Sequence, residues 1–423
     1  MGRSHWIGMA MLPLMAGLAG AAGTAVAQQP TGWLTVQDAL TYAEANSPAL
    51  GRMRALQEAS AGERLASFGI DDLQVSYARE GIPTAGGDFS EQRWVIGQSF
   101  DFPLQTYYRL KRVGAQSSAL THGVEAARRD LRSRVKTAYT EVLYTQELLH
   151  LSLQSVELGE SLKAAVAAQV AAGAAAELDE MKVDLQLSEA RSVLEDRLRL
   201  YEDARYALYQ VIGLDPGEQV YGVVFPDTMT YLDIALSQQE VLARLPAQPE
   251  LAGADATVRA ARLFTLEKRS AALPRLQLAY WPQDFGGGYR FRAFEVGFTV
   301  PLWFALNNRG AIVQARAREQ YDRWSRQDVG LTLKRDIERA WHGYETSKLT
   351  IDRYAETVHA LADDLLARTR EGYELGQLDL LTLLDTQRTY LSAQARYYDA
   401  LRTYYVNLIA LERYLQRELV FTR

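Results

Sequence analysis

The residues that most often carry chemistry are few and scattered in this sequence. The chain has no cysteine, which removes disulfides, thiolate metal ligands and cysteine nucleophiles together. No two of the histidines beyond residue 27 are spaced to share a metal ion; they are His122, His150, His342 and His359. A glycine-rich phosphate loop and an ordered Ser/His/Asp set are also missing. The sequence therefore predicts no enzyme, no cofactor and no metal site.

The overall charge is too small to name a partner. A formal net charge of −6 over 423 residues argues against nucleic-acid binding. Beyond the first residues, the long helical stretches carry a charge every few positions. We therefore expect no transmembrane helix in the rest of the chain.

The first 27 residues have the pattern of a secretory signal. Arg3 precedes an apolar run from Trp6 to about Ala22, and Ala25-Val26-Ala27 follows. A short apolar core that ends in A-x-A predicts export, with cleavage after Ala27. We expect the mature chain to begin at residue 28.

The remainder of the chain consists of two similar halves. Pro48 recurs as Pro249, 201 positions later (249 − 48), and Pro103 recurs as Pro301, 198 positions later (301 − 103). Gly173 recurs as Gly376, 203 positions later (376 − 173). Landmarks that keep their order and spacing indicate a duplication. We therefore divide the chain into a signal (1–27), a first repeat (28–213), a linker (214–234) and a second repeat (235–423).

Each repeat has the same predicted elements. A first helix leads into two short strands, a very long helical stretch follows, and a second helix follows a glycine. In the first repeat these are 35–69, 73–78, 93–102, 105–171 and 177–212. In the second repeat they are 235–272, 276–281, 291–300, 303–372 and 379–419.

The strands alternate between bulky apolar side chains and small or polar ones. The bulky set includes Trp94, Ile96 and Phe100 in the first repeat, and Phe294, Val296 and Phe298 in the second. Such alternation is typical of an outer-membrane strand, with the apolar side chains towards lipid. It also fits a small sheet packed on a helical bundle. The export signal, the duplication and the length of the helices favour the membrane strand.

These features resemble the TolC-type outer-membrane efflux channel family. The resemblance covers nearly all of the mature chain and rests on the helix starts at Pro48 and Pro249 and on the pairs Pro103-Leu104 and Pro301-Leu302. It also rests on the stretch YELGQLDLLTLLDTQRTYLSAQ at 373–394. That stretch looks most like the branch that serves cobalt–zinc–cadmium and other heavy-metal exporters.

The resemblance implies a mainly helical fold with a small β part, assembled as a homotrimer in the outer membrane of a Gram-negative bacterium. Each subunit would give four strands to one 12-stranded β-barrel and its long helices to one periplasmic tunnel. The implied partners are a periplasmic adaptor protein, an inner-membrane pump of the resistance-nodulation-division type and outer-membrane lipid. The implied function is passive exit of a substrate that the pump delivers, with heavy-metal cations as the expected substrate.

The resemblance also assigns roles at the two hairpin tips. Asp179, Tyr373 and Asp385 fall on positions of the periplasmic gate, where Asp179 would accept a hydrogen bond from Tyr373 of a neighbouring hairpin. The best-studied members have an arginine and an aspartate where this chain has Leu378 and Thr382, so the charged latch is incomplete. The expected contacts for the adaptor are the tip residues Gly173, Ala175, Gly376 and Gln377.

Other functions remain open from the sequence. The same channel could serve drug efflux or type I protein secretion. A different class of protein, a soluble periplasmic helical scaffold or adaptor, would use the strands as a small soluble sheet.

Overall fold

The structure is a computed structural model that describes residues 32–68, 70–81, 91–215, 223–285, 289–354 and 359–421. The predicted signal at 1–27 lies outside these residues. The helices are α1 (Val36–Asn46), α2 (Pro48–Ala66), α3 (Pro103–Ala171), α4 (Glu177–Ile212), α5 (Gln238–Ala243), α6 (Pro249–Ser270), α7 (Phe304–Asn307), α8 (Arg309–Arg353), α9 (His359–Glu374) and α10 (Leu380–Leu415). The strands are β1 (Gln74–Glu80), β2 (Glu91–Phe100), β3 (Arg275–Asp284) and β4 (Arg290–Thr299). The expected fold class, mainly helical with a small β part, is confirmed.

The four strands form one antiparallel sheet in the order β1-β2-β3-β4. The central pairing joins the two repeats, since β2 of the first repeat pairs with β3 of the second. The predicted strands therefore find their partners in the duplicate copy. Strands β1 and β4 are the outer strands of the sheet.

The long helices run away from the sheet. Helix α3 has 69 residues, so at about 1.5 Å per residue it is on the order of 100 Å long. It packs along α4 of its own repeat and along α6 and α10 of the second repeat. The predicted bounds of α4, 177–212, agree with the structure.

Several predicted helices are interrupted, which corrects their bounds. The helix predicted at 35–69 ends at Asn46 and restarts at Pro48, because Ser47 has an extended backbone (ψ 118°). A residue before proline is disfavoured in the helical conformation, whereas proline itself suits the first helical position. The helix predicted at 235–272 is divided in the same way before Pro249. In the stretch predicted at 303–372, Asn308 separates α7 from α8, and residues 355–358 between α8 and α9 lie outside the described residues. Helix α10 ends at Leu415, short of the expected 419.

The main core lies midway along the molecule, where the repeats and the linker meet. Its large, fully buried side chains include Tyr139, Tyr209 and Tyr404. The Tyr404 hydroxyl donates to the Leu232 carbonyl at 2.7 Å, and the Tyr405 hydroxyl donates to the Thr230 carbonyl at 2.8 Å. These bonds give the partly buried linker carbonyls side-chain partners. The linker is thus fixed against α10.

Candidate functional site: the hairpin tips and the sheet face

The first hairpin turns at Gly173, between α3 and α4. Gly173 has φ +72°, a conformation that costs glycine little. The Gly173 amide donates to the Val170 carbonyl at 2.9 Å, and the Ala174 amide donates to the Gln169 carbonyl at 2.8 Å. This pair of bonds is the Schellman motif that commonly ends a helix. The chain can therefore reverse within five residues and begin α4 at Glu177.

The second hairpin repeats this geometry at Gly376, between α9 and α10. Gly376 has φ +70°, and the Gln377 amide donates to the Gly372 carbonyl at 2.8 Å. Leu378 lies over Gly372 so closely that an added Cβ would approach its Cδ1 to 2.8 Å. Leu378, which stands where the best-studied members have arginine, therefore packs against its own hairpin. Asp379 caps α10 by accepting from the Thr382 amide at 2.8 Å, and the hydrogen bonds from Thr382 lower the pKa of Asp379.

The two tips pack against each other through a small apolar cluster. Its buried members come from α3, α4 and α10, and they are Val166, Val183, Leu380 and Leu384. Leu162, Val170 and Tyr373 lie partly buried against them. The positive charge of Lys182, on the first hairpin, also lies close enough to Asp379, on the second, to favour its ionised form. Packing between the repeats therefore extends to the ends of the hairpins.

Tyr373 and Asp179 lie near each other at this junction. Burial raises the pKa of the Tyr373 hydroxyl, and the Asp179 carboxylate raises it further. Within the chain, however, the hydroxyl donates to Gln169 Oε1 at 3.4 Å, and Asp179 accepts from Lys182 Nζ at 3.0 Å. The hydrogen bond from Tyr373 to Asp179 of a neighbouring hairpin stays a prediction.

The other predicted tip residues are accessible. Gly173, Gly376 and Gln377 are exposed, and Ala175 is half-buried. Asp385 is also exposed, one turn into α10 and outside the apolar cluster. The Asp179 carboxylate thus acts electrostatically on the Tyr373 hydroxyl without a hydrogen bond between them, whereas Asp385 lies outside the apolar cluster of the tips.

The sequence analysis missed a band of exposed apolar side chains beside the tips. On α4 it comprises Leu178, Met181 and Leu185, and Met181 is 68% exposed. On the second hairpin it comprises Leu375, Leu378 and Leu381. The signal was present in the sequence, because residues 178, 181 and 185 are spaced to share one face of a helix.

The sheet presents one apolar face, as the alternation predicted. Trp94, Ile96, Phe294, Val296 and Phe298 are exposed, and Phe100 is half-buried. The strand register places their neighbours on the same face; these are Val75, Tyr77, Leu276, Leu278 and Tyr280. Aromatic rings meet across the strands, with Tyr77 and Trp94 centroids 4.8 Å apart and Tyr280 and Phe294 centroids 4.9 Å apart.

The opposite face of the sheet is mostly small or polar, although the register also places Val95, Trp281 and Phe291 on it. Gln74, Ser76, Gly97, Gln277 and Glu295 lie on it. A sheet with one apolar and one polar face can separate lipid from water without any further layer of structure.

Among the described residues, His, Asp and Glu side chains form no group that could hold a metal ion. None of the helices in the described part of the chain combines the length and the apolar character that crossing a membrane requires.

Two proteins are similar to this chain in sequence. The cobalt-zinc-cadmium resistance protein CzcC of Cupriavidus metallidurans is 25% identical over 295 residues, which cover 69% of this chain and 68% of CzcC. The outer membrane protein OprJ of Pseudomonas aeruginosa is 26% identical over 312 residues, which cover 71% of this chain and 64% of OprJ.

Two further comparisons cover the family and the fold. Residues 241–416 match the family model described as outer membrane efflux protein. The crystal structure of CusC, described in relation to transmembrane channel formation, has the same fold with a TM-score of 0.72 at 18% identity, over 93% of this chain and 95% of CusC. The second part of the chain, residues 241–416, is thus similar to the outer membrane efflux protein family, and the duplicated helical hairpins with their four-stranded sheet share the fold of CusC.

Proposed function

We propose that the protein is the outer-membrane exit channel of a tripartite efflux system and that heavy-metal cations are its substrate. It would act as a homotrimer and receive its substrate from a periplasmic adaptor and an inner-membrane pump, of the resistance-nodulation-division type. The match of residues 241–416 to the outer membrane efflux protein family supports the channel, and the similarity to CzcC is the observation that carries the metal substrate.

The geometry of the sheet supports a shared barrel. Strands β1 and β4 each have one edge without a partner strand among the described residues. An unpaired edge cannot remain in lipid, because its backbone groups would have no hydrogen-bond partners. Pairing β4 of one copy with β1 of the next in a closed trimer satisfies these edges and gives 12 strands. The proposed repeat boundaries, 28–213 and 235–423 with the linker 214–234, place two strands in each repeat.

The long hairpins support a tunnel with its tips towards the inner membrane. Their length suits a path across the periplasm. Both tips carry exposed apolar side chains beside the exposed turns at Gly173 and Gly376. We propose that Gly173, Ala175, Gly376 and Gln377 contact the adaptor. Photocrosslinkers at Ala175 and Gln377 should capture a periplasmic protein, whereas a crosslinker at Gln92, at the far end of the sheet, should not. Preferential capture from Gln92 would reverse the proposed orientation.

The polar face of the sheet is compatible with cation transport. This face carries three carboxylates, Glu80, Glu91 and Glu295, against two arginines, Arg93 and Arg275, and would line the pore. Carboxylates along a narrow passage raise the local concentration of cations. A passive channel needs no tight metal site, because a cation must also leave it.

Susceptibility of a deletion strain tests the substrate. Loss of the gene should increase sensitivity to cobalt, zinc or cadmium salts, and the wild-type gene on a plasmid should restore resistance. Increased sensitivity to organic drugs alone would replace the metal substrate by drug efflux, and loss of a secreted protein alone would indicate type I secretion. Fractionation of the same cells and SDS gels of unheated samples test the channel itself. A monomer in the soluble periplasmic fraction would indicate the scaffold or adaptor function instead.

A further inference from the structure

Charges at the loop end of the sheet, away from the helices, are divided between its two faces. Arg79, Arg290 and Arg292 lie on the apolar face, whereas Glu80 and Glu91 lie on the polar face. The strand register supports these positions, because directly paired residues lie on the same face of a sheet. One such row across the four strands consists of Arg79, Gln92, Asp284 and Arg290. We call Arg79, Arg290 and Arg292 the arginine collar.

The arginine collar borders the apolar band directly. Arg292 precedes Phe294 by two residues, so their Cα atoms are about 7 Å apart on the same face. Trp94 and Tyr77 lie across the sheet at about the same level, two cross-strand rows from Arg79. Aromatic side chains beside arginines are typical of the boundary between hydrocarbon and headgroups.

The collar arginines are exposed at the surface of the sheet. Arg290 pairs with Asp284 at 3.1 Å, but its side chain is still 82% exposed. Arg292 is exposed and makes no ion pair with the described residues. Asp284 is the only carboxylate on the apolar face of the described strands, which leaves the collar with a net positive charge.

The position of the arginine collar at the loop end of the sheet indicates the chemical class of its ligand. This argument rests on the proposed function, in which the helices lie in the periplasm and the loop end of the sheet reaches the outer leaflet. Arginines there would meet lipid headgroups, and phosphates suit them because the planar guanidinium can donate two parallel hydrogen bonds. The phosphorylated lipid of that leaflet is the glycolipid lipid A.

We propose that the arginine collar binds the phosphates of lipid A. The outer strands carry the collar, with Arg79 on β1 and Arg290 and Arg292 on β4. Pairing β4 of one copy with β1 of the next would bring the three arginines to each junction between subunits. A bound lipid A would therefore also hold adjacent subunits together.

Lipid binding to the purified full-length trimer tests the proposal. The probes are lipid A and the same lipid with both phosphates removed, added in detergent and detected by native mass spectrometry. The wild type should bind lipid A about tenfold or more tightly than the dephosphorylated lipid, because each lost charged hydrogen bond is worth about a factor of ten. Equal binding of the two lipids would overturn the proposal without use of any variant.

A pair of matched variants locates the site. Arg290→Gln with Arg292→Gln should remove the preference for lipid A. Arg93→Gln should keep it, because Arg93 lies within one row of the collar on the polar face. Retention of the preference in the double variant, or its loss in Arg93→Gln, would overturn the assignment to the collar. Unheated SDS gels of each preparation distinguish failure of the channel proposal from failure of the lipid A proposal. A wild-type protein that forms no trimer overturns both proposals. A trimer that shows no preference for lipid A overturns only the lipid A proposal.

Discussion

Replacing Lys136 by methionine should destabilise the protein far more than the loss of an exposed ion pair. Lys136 is fully buried in α3, and its Nζ donates to Glu412 Oε1 at 2.5 Å and to the Val420 carbonyl at 3.1 Å. The other oxygen of Glu412 accepts from the Leu419 amide at 3.1 Å. The buried pair thus fixes the end of the chain against α3 and α10.

The expected magnitude follows from this burial. Methionine retains the volume of lysine but leaves the Glu412 carboxylate, 12% exposed, without its cation. Removing one partner of a buried pair costs about 3–5 kcal/mol. The backbone amide that still donates to Glu412 places the expected cost near 3 kcal/mol. Adding Glu412→Gln should recover part of the loss, because a neutral amide can accept from Leu419 without carrying an unpaired charge.

Denaturant unfolding in detergent, followed by tryptophan fluorescence, measures the free energy of unfolding of each variant. Lys163→Met is the matched control, since Lys163 pairs with Asp184 at 2.6 Å while both side chains are nearly half exposed. An exposed pair contributes about 0–1 kcal/mol, so the control should resemble the wild type. If Lys136→Met also resembles the wild type, the buried pair is not important for stability. If Glu412→Gln adds to the loss instead of relieving it, the electrostatic reasoning is wrong.

Three further predictions concern the channel. Val296→Arg places a charge on the apolar face and should cost about 2–4 kcal/mol in the bilayer, so less trimer should appear on unheated SDS gels. Gln277→Arg, on the polar face, should be tolerated. Equal tolerance of the two variants would contradict the lipid-facing assignment. Tyr373→Phe combined with Asp179→Ala should raise single-channel conductance in planar bilayers, because it removes the proposed gate contact; a wild-type conductance would refute the gate. Asp385→Asn should weaken block by multivalent cations, since it removes carboxylates expected to line the lumen; unchanged block would place Asp385 outside the lumen.

The local pattern of the sequence predicted the elements that depend on local physics. Helix α4 and the four strands lie where apolar spacing and alternation placed them, and Gly173 and Gly376 turn the hairpins because positive φ is inexpensive for glycine. The helix break at Ser47 could also have been predicted, because a residue before proline resists the helical conformation. The sequence analysis instead extended the apolar pattern through it.

Contacts between distant parts of the chain required the tertiary structure. Periodicity reports which face of an element is apolar but not which element covers that face. It therefore could not predict that β2 pairs with β3, or that Gln169 accepts a hydrogen bond from the Tyr373 hydroxyl. The same limit applies to Leu378, whose packing against Gly372 depends on the turn that Gly376 makes.

The sequence by itself determined the duplication, the types of the elements, the glycine turns and the two-faced strands, because each depends on residues close together in the chain. Only the tertiary structure decided the order of the sheet, the junction of the two hairpin tips and the burial of Lys136 with Glu412, which lie 276 residues apart. Two residues so far apart in sequence leave no local pattern that predicts their pairing. The strength of the pair also depends on the folded core, because the core excludes the water that would otherwise screen the two charges.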